Sequence, residues 1–141
     1  SGYDRAFTNA VVSVTLAAPA LDIDATGPAA TAYQPYTDGL LAMRYMLGLR
    51  GSALVTGAIG PNPARDTGQI ETQLGYLLSA LDVDNNGSTD AATDGVLILR
   101  YLLGFRGSAL INNAMGTCPA NNIYCRLTAN EIEAYLASLT P

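Results

Sequence analysis

The sequence contains no histidine, no lysine and no tryptophan, so that all seven of its basic residues are arginine. Without histidine, the chain cannot form a Ser-His-Asp triad, a Cys-His dyad or a histidine-ligated zinc site. Without lysine, it has neither a Schiff-base nucleophile nor the phosphate-binding lysine of a P-loop. The net charge is -5, and we therefore expect no binding to nucleic acid or to an anionic membrane.

Long apolar runs are also missing, although 49% of the 141 residues are hydrophobic. No run approaches the roughly 20 residues that a transmembrane helix requires. The hydrophobic content is sufficient for a buried core, and disorder is not expected. The N-terminus lacks the charged region and the cleavage pattern of a signal peptide, which is typical of a mature or excised segment.

Two parts of the chain repeat each other at an interval of about 60 residues. Residues 20–24 read Ala-Leu-Asp-Ile-Asp, and residues 80–84 read Ala-Leu-Asp-Val-Asp. Segments 38–54 and 94–110 are then identical at 12 of 17 aligned positions. The repeat predicts a first unit of residues 20–79 and a second unit of residues 80–141, which together form one folded region after a lead of residues 1–19.

A helix is predicted after each of two acidic loops. Asp38 and Asp94 are suitable N-caps, because a carboxylate can accept from the free N–H groups of a first turn. Gly48 and Gly104 stand where a C′ glycine ends a helix. The residues between them are apolar on nearly all sides, which predicts two buried helices that pack on each other about a pseudo-two-fold axis.

Each unit is expected to end with a second helix. Thr128 and Glu131 form a Thr-x-x-Glu capping-box pattern, and apolar residues follow it at helical spacing. The matching helix of the first unit is expected at about residues 67–78. In the lead, the β-prone segment 6–16 predicts one short strand or extended segment.

Seven of the nine aspartates lie in the two acidic loops. In the second loop, residues 82–94, oxygen-bearing side chains alternate along a turning backbone, and Gly87 permits the sharp turn. This pattern supplies the hard oxygen ligands that calcium prefers, whereas magnesium requires a stiffer octahedron. The predicted ligands are Asp82, Asp84, Asn86, the carbonyl of Ser88, Asp90 and Asp94. The alternative is that these side chains form Asx turns and cap a helix.

The first loop, residues 22–38, is longer and less regular than the second. Its predicted calcium ligands are Asp22, Asp24, Thr26 and Asp38. Thr26 is a weaker ligand than Asn86, and no residue clearly matches Asp90. We therefore expect weaker binding at this site, or a contribution from backbone carbonyls, water or Gln34.

These motifs resemble a known family. The pattern Asp-x-Asp-x-Asn-Gly at 82–87, the closing Asp94 and the helix with Arg-Tyr-Leu-Leu-Gly at 100–104 resemble the dockerin type of EF-hand-like calcium repeat. The resemblance covers residues 20–51 and 80–107. It implies a duplicated calcium-binding module of a secreted bacterial protein that binds a cohesin module through a helix surface.

The same resemblance places partner recognition just before each closing aspartate. By position, these residues are Tyr36, Thr37, Ala92 and Thr93. Arg44 and Arg100 recur in the helices and are further candidates for partner contact. The alternative for both arginines is structural, with the stem covering the core and the guanidinium bound to a carboxylate or carbonyl.

Cys118 and Cys125 flank a turn-rich stretch before the last helix. Zinc would need four ligands, and the sequence offers no further cysteine or histidine. We predict a disulfide, with free thiols as the alternative, and a disulfide indicates an oxidising, extracellular location.

The three glutamates do not suggest a catalytic pair of carboxylates. Glu71, Glu131 and Glu133 are expected to be capping or solvent-facing residues of the second helices, and no enzymatic activity is predicted. The predicted fold class is all-α, with duplicated calcium loop–helix–loop–helix units and two calcium ions. Two functions remain open: a calcium-dependent docking module for a cohesin-like partner, or a calcium-rigidified spacer of a larger extracellular protein.

Overall fold

The computed structural model describes residues 20–26 and 32–141. Within these ranges the protein contains α-helices and no β-strand, as predicted for an all-α fold. The helices are α1 (Leu40–Met46), α2 (Ser52–Val55), α3 (Thr67–Leu77), α4 (Val96–Leu102), α5 (Ser108–Ile111) and α6 (Ala129–Ser138). None of the helices in these ranges is long and apolar enough to cross a membrane. The predicted strand at 6–16, with the rest of the lead, lies outside the described residues.

A π-helical turn precedes each helix that follows an acidic loop. These turns are Pro35–Gly39 before α1 and Ala91–Gly95 before α4. In each turn, the N–H of the last glycine donates to a carbonyl five residues earlier, at 3.1 Å. The prediction that Asp38 and Asp94 are N-caps is wrong, because both lie inside these turns and neither carboxylate caps the helix.

Helices α1 and α4 contact each other closely through glycines at their N-termini. A Cβ atom on Gly39 would lie 3.2 Å from Cδ1 of Leu99, and one on Gly95 would lie 2.8 Å from Sδ of Met43. Any larger residue at Gly95 would push the methionine away. The contact is reciprocal, since the start of each helix packs on the other helix.

Gly48 and Gly104 end these two helices, as predicted. Their φ angles are +88° and +96°, in the left-handed region that favours glycine. The predicted burial of the two helices is correct for Leu41 and Ala42 in α1 and for Leu97 and Ile98 in α4, whereas the other residues of both helices are partly exposed. It is wrong at their C-terminal ends, where Leu47 is 63% exposed and Leu103 is 40% exposed.

Helices α3 and α6 each begin with a capping box. The hydroxyl of Thr128 accepts from the N–H of Glu131, and the Glu131 carboxylate accepts from the N–H of Thr128, as predicted. Asp66 and Gln69 form the same pair at α3, which was not predicted. Helix α3 ends one residue before the predicted limit.

One cluster of buried apolar side chains contains residues of both units. Its largest fully buried members are Leu21, Ile23, Leu41, Leu54, Ile70, Leu74, Leu81, Leu97, Ile98, Leu110, Ile132 and Leu136. At the start of each acidic loop, buried apolar residues alternate with aspartates, as in Leu21-Asp22-Ile23-Asp24. The apolar side chains therefore attach the loop to the core and fix the position of the carboxylates between them.

Candidate metal centres

Each unit gathers three aspartates into one cluster. In each cluster, one carboxylate oxygen from every member lies within 4.8 Å of the others. The first cluster consists of Asp22, Asp24 and Asp38, and the second consists of Asp82, Asp84 and Asp94. In both, the first aspartate is half-buried and the other two are buried. Each cluster could hold a metal ion.

Asp38 closes the first cluster by joining two distant segments of backbone. Its Oδ1 accepts from the N–H of Ile23 at 2.6 Å, and its Oδ2 accepts from the N–H of Gln34 at 3.0 Å. The carboxylate thus ties the start of the acidic loop to the π-helical turn. This role requires a contact across 15 residues, which a helix N-cap would not make.

Asp94 makes the equivalent bonds in the second cluster. Its Oδ1 accepts from the N–H of Val83 at 2.7 Å, and its Oδ2 accepts from the N–H of Asp90 at 2.8 Å. Gln34 and Asp90 therefore occupy matching positions in the two units. The match is not visible in the sequence, because the loops before the two residues differ in length.

The middle aspartate of each cluster receives a hydrogen bond from a distant glycine. The N–H of Gly60 donates to Asp24 Oδ2 at 2.7 Å, and the N–H of Gly116 donates to Asp84 Oδ2 at 2.6 Å. A Cβ atom on Gly116 would lie 2.8 Å from that same oxygen and closer still to Nδ2 of Asn86. Sequence reasoning missed both glycines, although each stands five residues after the end of a repeated short helix.

An arginine in each unit binds the backbone of the acidic loop. Arg65 donates to the carbonyls of Asp22 and Ile23, at 2.6 and 2.9 Å. Arg126 donates to the carbonyls of Asp82 and Val83, at 3.4 and 2.8 Å. Neither arginine was predicted to belong to the site. The available signal was that each arginine just precedes the N-cap of α3 or α6.

The first aspartates of the two clusters differ in their partners. Asp82 accepts from the N–H groups of Asn86 and Gly87, at 3.2 and 2.9 Å. Oδ1 of Asp22 is buried and has no hydrogen-bond partner among the described residues. A buried carboxylate oxygen without a donor is unfavourable, and a bound cation would supply the missing partner.

Burial raises the pKa of two carboxyl groups in each cluster. The pKa of Asp38 and that of Asp94 each rise to about 6, mainly through burial and in part through the neighbouring carboxylates. Burial also raises the pKa of Asp22, with a contribution from Asp24, and the pKa of Asp84. The ionised clusters are therefore costly without a positive charge nearby.

The other predicted ligands lie around the clusters. Thr26 is buried, and its hydroxyl donates to Asp24 Oδ1 at 2.8 Å. The side-chain amide of Asn86 donates through its Nδ2 to the carbonyl of Thr117 and accepts at its Oδ1 from the N–H of Ser88. The side chains of Ser88 and Asp90 are exposed, and Asp90 is not a member of the three-carboxylate cluster.

The residues predicted to recognise a partner differ in exposure. Tyr36 is 70% exposed and Ala92 is also exposed, whereas Thr37 and Thr93 are half-buried. The Thr37 hydroxyl donates to a carboxylate oxygen of Asp38 at 3.3 Å. The residues just before the closing aspartates thus present a large aromatic side chain in the first unit and only the methyl group of an alanine in the second.

The two helix arginines have structural partners. Arg44 donates to the carbonyls of Leu54 and Thr56, at 2.9 and 2.7 Å. Arg100 makes the same pair of bonds at the end of α5, to the carbonyls of Leu110 and Asn112. These bonds satisfy carbonyls that a short helix leaves unpaired.

Two of the three glutamates bind backbone rather than facing solvent. Glu71 Oε2 accepts from the N–H of Gly51, and Glu133 Oε2 accepts from the N–H of Gly107, both at 2.7 Å. The expectation of a capping or solvent-facing role is wrong for Glu71 and Glu133, because each joins its helix to the loop before the preceding short helix. Glu131 is a capping residue, as predicted.

Cys118 and Cys125 form a disulfide, as predicted, with their Cα atoms 6.1 Å apart. The disulfide is compatible with an extracellular location. Together with the two acidic clusters, it defines a helical protein that could hold two metal ions. No protein-family model, curated protein or solved structure matches the chain.

Proposed function

We propose that this chain is a non-catalytic, dockerin-like module that binds two calcium ions. The observation that carries the proposal is the repeated cluster of three carboxylate oxygens within 4.8 Å of one another. Oxygen ligands suit a hard cation, and flexible loops with many oxygens suit calcium better than magnesium. The duplicated loop–helix units and their pseudo-two-fold packing belong to the same proposal.

Electrostatics supports a cation at both clusters. Three ionised carboxylates at this distance repel one another, and burial increases the free-energy cost of their charges. The buried Oδ1 of Asp22, which lacks a hydrogen-bond partner among the described residues, provides an independent indication in the first unit. Two calcium ions would change the net charge from -5 to about -1.

The carboxylates of the two clusters would supply the main ligands. We propose additional oxygens, direct or through water, from Thr26 in the first site and from Asn86, Ser88 and Asp90 in the second. Calcium would then stabilise the bridges that Asp38 and Asp94 make between loop and π-helical turn. Because the unfolded chain cannot form these bridges, calcium binding adds to the free energy of unfolding.

Exposed apolar side chains support docking to a cohesin-like partner in a secreted bacterial protein. Leu47 and Leu49 flank the glycine that ends α1, and Leu103 and Phe105 flank the glycine that ends α4; all four are exposed. With Tyr36, they place large apolar side chains at the ends of the repeated helices. Such side chains are typical of a protein-binding surface where they form a contiguous patch.

A structural spacer is the second candidate function. Arg44 and Arg100 are bound to carbonyls of the same molecule, and Ala92 offers little surface to a partner. These observations favour a module that calcium rigidifies and that binds no other protein.

Calorimetric titration of the chelated protein tests calcium binding. We expect two ions per chain and a rise in melting temperature. Asp22→Ala and Asp82→Ala should each remove one ion, whereas Asp66→Ala, which removes only the cap of α3, should retain both. Absence of heat and of any thermal shift at millimolar calcium would contradict the calcium function.

Mixing with cohesin-like modules, with and without chelator, separates docking from the spacer role. We expect a calcium-dependent complex that Leu47→Ser with Leu103→Ser weakens. The matched control is Tyr76→Ser on α3, where an aromatic side chain is 80% exposed but lies outside the proposed surface. If no complex forms with any such module, the spacer function is favoured.

A further inference from the structure

The loop closed by the disulfide lies against the second acidic loop. The side-chain amide of Asn122, inside the disulfide loop, donates to the carbonyl of Asn85 at 2.8 Å. In return, the side-chain amide of Asn85 donates to the carbonyl of Tyr124 at 3.0 Å. This exchange of hydrogen bonds joins the middle of the acidic loop to the interior of the disulfide loop.

The segments that flank the two cysteines contact the acidic loop as well. Just before Cys118, the carbonyl of Thr117 accepts from the amide of Asn86 at 3.3 Å, and Gly116 donates to Asp84. Just after Cys125, the N–H of Arg126 donates to the carbonyl of Asp84 at 2.7 Å. Both ends of the disulfide loop thus contact residues 84–86, which include one carboxylate of the second cluster.

The first unit reaches the same contacts with a shorter segment. Gly60 and Arg65, which bind the first acidic loop, are five positions apart, with Pro61 and Pro63 between them. Their counterparts Gly116 and Arg126 are ten positions apart. Prolines restrict the backbone of a short segment, whereas a longer segment loses more entropy when both of its ends are fixed.

The disulfide compensates for this extra length. It holds the Cα atoms of Cys118 and Cys125 6.1 Å apart. The longer segment therefore still keeps Gly116 and Arg126 close enough for both to contact the acidic loop. We propose that the Cys118–Cys125 disulfide is a positioning element of the second calcium site. Calcium affinity at the second site therefore depends on this bond, and affinity at the first site does not. The inference rests on the proposed calcium function.

Thermodynamic linkage makes the effect reciprocal. If the disulfide raises calcium affinity by some factor, calcium raises the equilibrium constant of disulfide formation by the same factor. The relevant reaction is exchange with a dithiol. The dithiol becomes a cyclic disulfide, and its two electrons and two protons convert the protein disulfide to the thiols of Cys118 and Cys125.

Variants with a single site allow a direct test by calorimetry. Asp22→Ala leaves the second site, and Asp82→Ala leaves the first; each is measured with the cysteines intact and with Cys118→Ser and Cys125→Ser. We expect the serine substitutions to weaken the second site about 10- to 100-fold, as for other residues that orient metal ligands, and to leave the first site unchanged. An unchanged second site overturns the inference alone, whereas absence of calcium binding in both backgrounds overturns the calcium function and the inference with it.

A second measurement uses the chain with its own cysteines and does not depend on the folding of the serine variants. The protein is equilibrated with a mixture of dithiol and cyclic disulfide, in calcium or in chelator, and the crosslinked fraction is measured. Calcium should raise the equilibrium constant of disulfide formation about 10- to 100-fold. Asp22→Ala should retain this effect, and Asp82→Ala should lose it. If the equilibrium constant of disulfide formation in the unsubstituted chain is the same in calcium and in chelator, the proposal is overturned.

Discussion

The two units build the same arrangement of backbone contacts from partly different residues. In each, a closing aspartate bridges two backbone segments, a distant glycine donates to the middle aspartate, and an arginine binds two loop carbonyls. The two units differ in the segment that connects the glycine to the arginine. In this segment the first unit has two prolines, whereas the second unit has one proline and a disulfide. The carboxylates are therefore held by equivalent backbone donors in both units, although the connecting segments differ.

The first residue of each loop shows where the units diverge. Asp82 is held by two N–H groups of its own loop, whereas a buried oxygen of Asp22 lacks a hydrogen-bond partner among the described residues. Hydrogen bonds therefore orient both oxygens of Asp82 before any ion binds, whereas the backbone N–H groups of Thr26 and Ala25 stabilise Asp22 but leave its Oδ1 without a donor among the described residues. We expect tighter calcium binding at the second site for this reason, because less reorganisation accompanies it.

Removal of the closing aspartates should have the largest effect and should be equal in the two units. Asp38→Ala and Asp94→Ala each remove a ligand and leave two backbone N–H groups without their acceptor. We expect each variant to lose one calcium ion and, when calcium is present, to lower the free energy of unfolding by about 3 kcal/mol. Chemical denaturation and calorimetric titration measure the two effects.

The control for this pair is Asp66→Ala. It removes the N-cap of α3 and should lower the free energy of unfolding by only about 1 kcal/mol while both ions remain bound. If Asp38→Ala keeps two ions and Asp94→Ala does not, the two units do not share one binding arrangement.

Local patterns in the sequence predict much of the site. The alternation of Asp82 and Asp84, the closing Asp94 and the capping box of Thr128 with Glu131 all depend on residues a few positions apart. Spacing of this kind reflects backbone geometry that is the same in any protein. The all-α character of the described residues and the disulfide were predictable for similar reasons.

The contacts that orient the carboxylates could not be predicted in this way. Gly60 and Gly116 act through backbone N–H groups from more than 30 residues away, and a backbone donor has no signature in the sequence. The role of Asp38 was misread because a helix N-cap and a bridge between segments require the same residue type. Alignment of the two units does pair Gly60 with Gly116 and Glu71 with Glu133. The alignment shows that these residues recur, but it does not show which groups they contact.

Substitution of the two glycines that donate to the middle aspartates, Gly60 and Gly116, should affect the two calcium sites to different extents. A Cβ atom on Gly116 would meet Asn86 and a carboxylate of the second cluster, whereas one on Gly60 would meet the Thr26 side chain at 2.8 Å. We expect Gly116→Ala to weaken the second site about tenfold or more and to destabilise the protein by about 1–3 kcal/mol. Gly60→Ala should act on the first site alone and less strongly, because the Cβ atom there would meet the side chain of Thr26 and no carboxylate of the cluster.

The matched control is Gly75→Ala, in the interior of α3. A Cβ atom there would lie 3.5 Å from the Tyr45 hydroxyl, which is an ordinary contact. This variant should raise the free energy of unfolding by up to about 1 kcal/mol and leave both calcium affinities unchanged. Equal affinities in Gly116→Ala and in the unsubstituted protein would show that the glycine does not orient Asp84.

Low pH should weaken both sites equally. Burial raises the pKa of Asp38 and of Asp94 to about 6, so that about one tenth of each is ionised at pH 5. Calcium requires the ionised form, and titration at pH 5 should give affinities about tenfold lower than those at pH 7. A ratio of the two affinities that changes with pH would show that the closing aspartates are not equivalent.

The chelated protein should show the opposite trend. The folded-state pKa values lie above the usual value of 3.8, so that the folded protein holds protons that the unfolded chain has released. The contribution of Asp38 and Asp94 to stability is therefore fully present below about pH 4 and is lost as the pH rises through about 6. Thermal melts in chelator across this range measure the trend, and a flat profile would contradict it.

The smallest effect should come from the fourth position of each loop. Ala25 and Asn85 both have a φ angle of +57°, where asparagine is tolerated and alanine is strained by about 1 kcal/mol. Ala25→Asn should therefore raise the free energy of unfolding by about 0.5–1 kcal/mol. Asn85→Ala should lower it by about 1–2 kcal/mol, because it adds the same strain and removes the hydrogen bond to Tyr124. Chemical denaturation in chelator measures both, and a neutral Ala25→Asn would mean that the first loop relaxes to another conformation when no ion is bound.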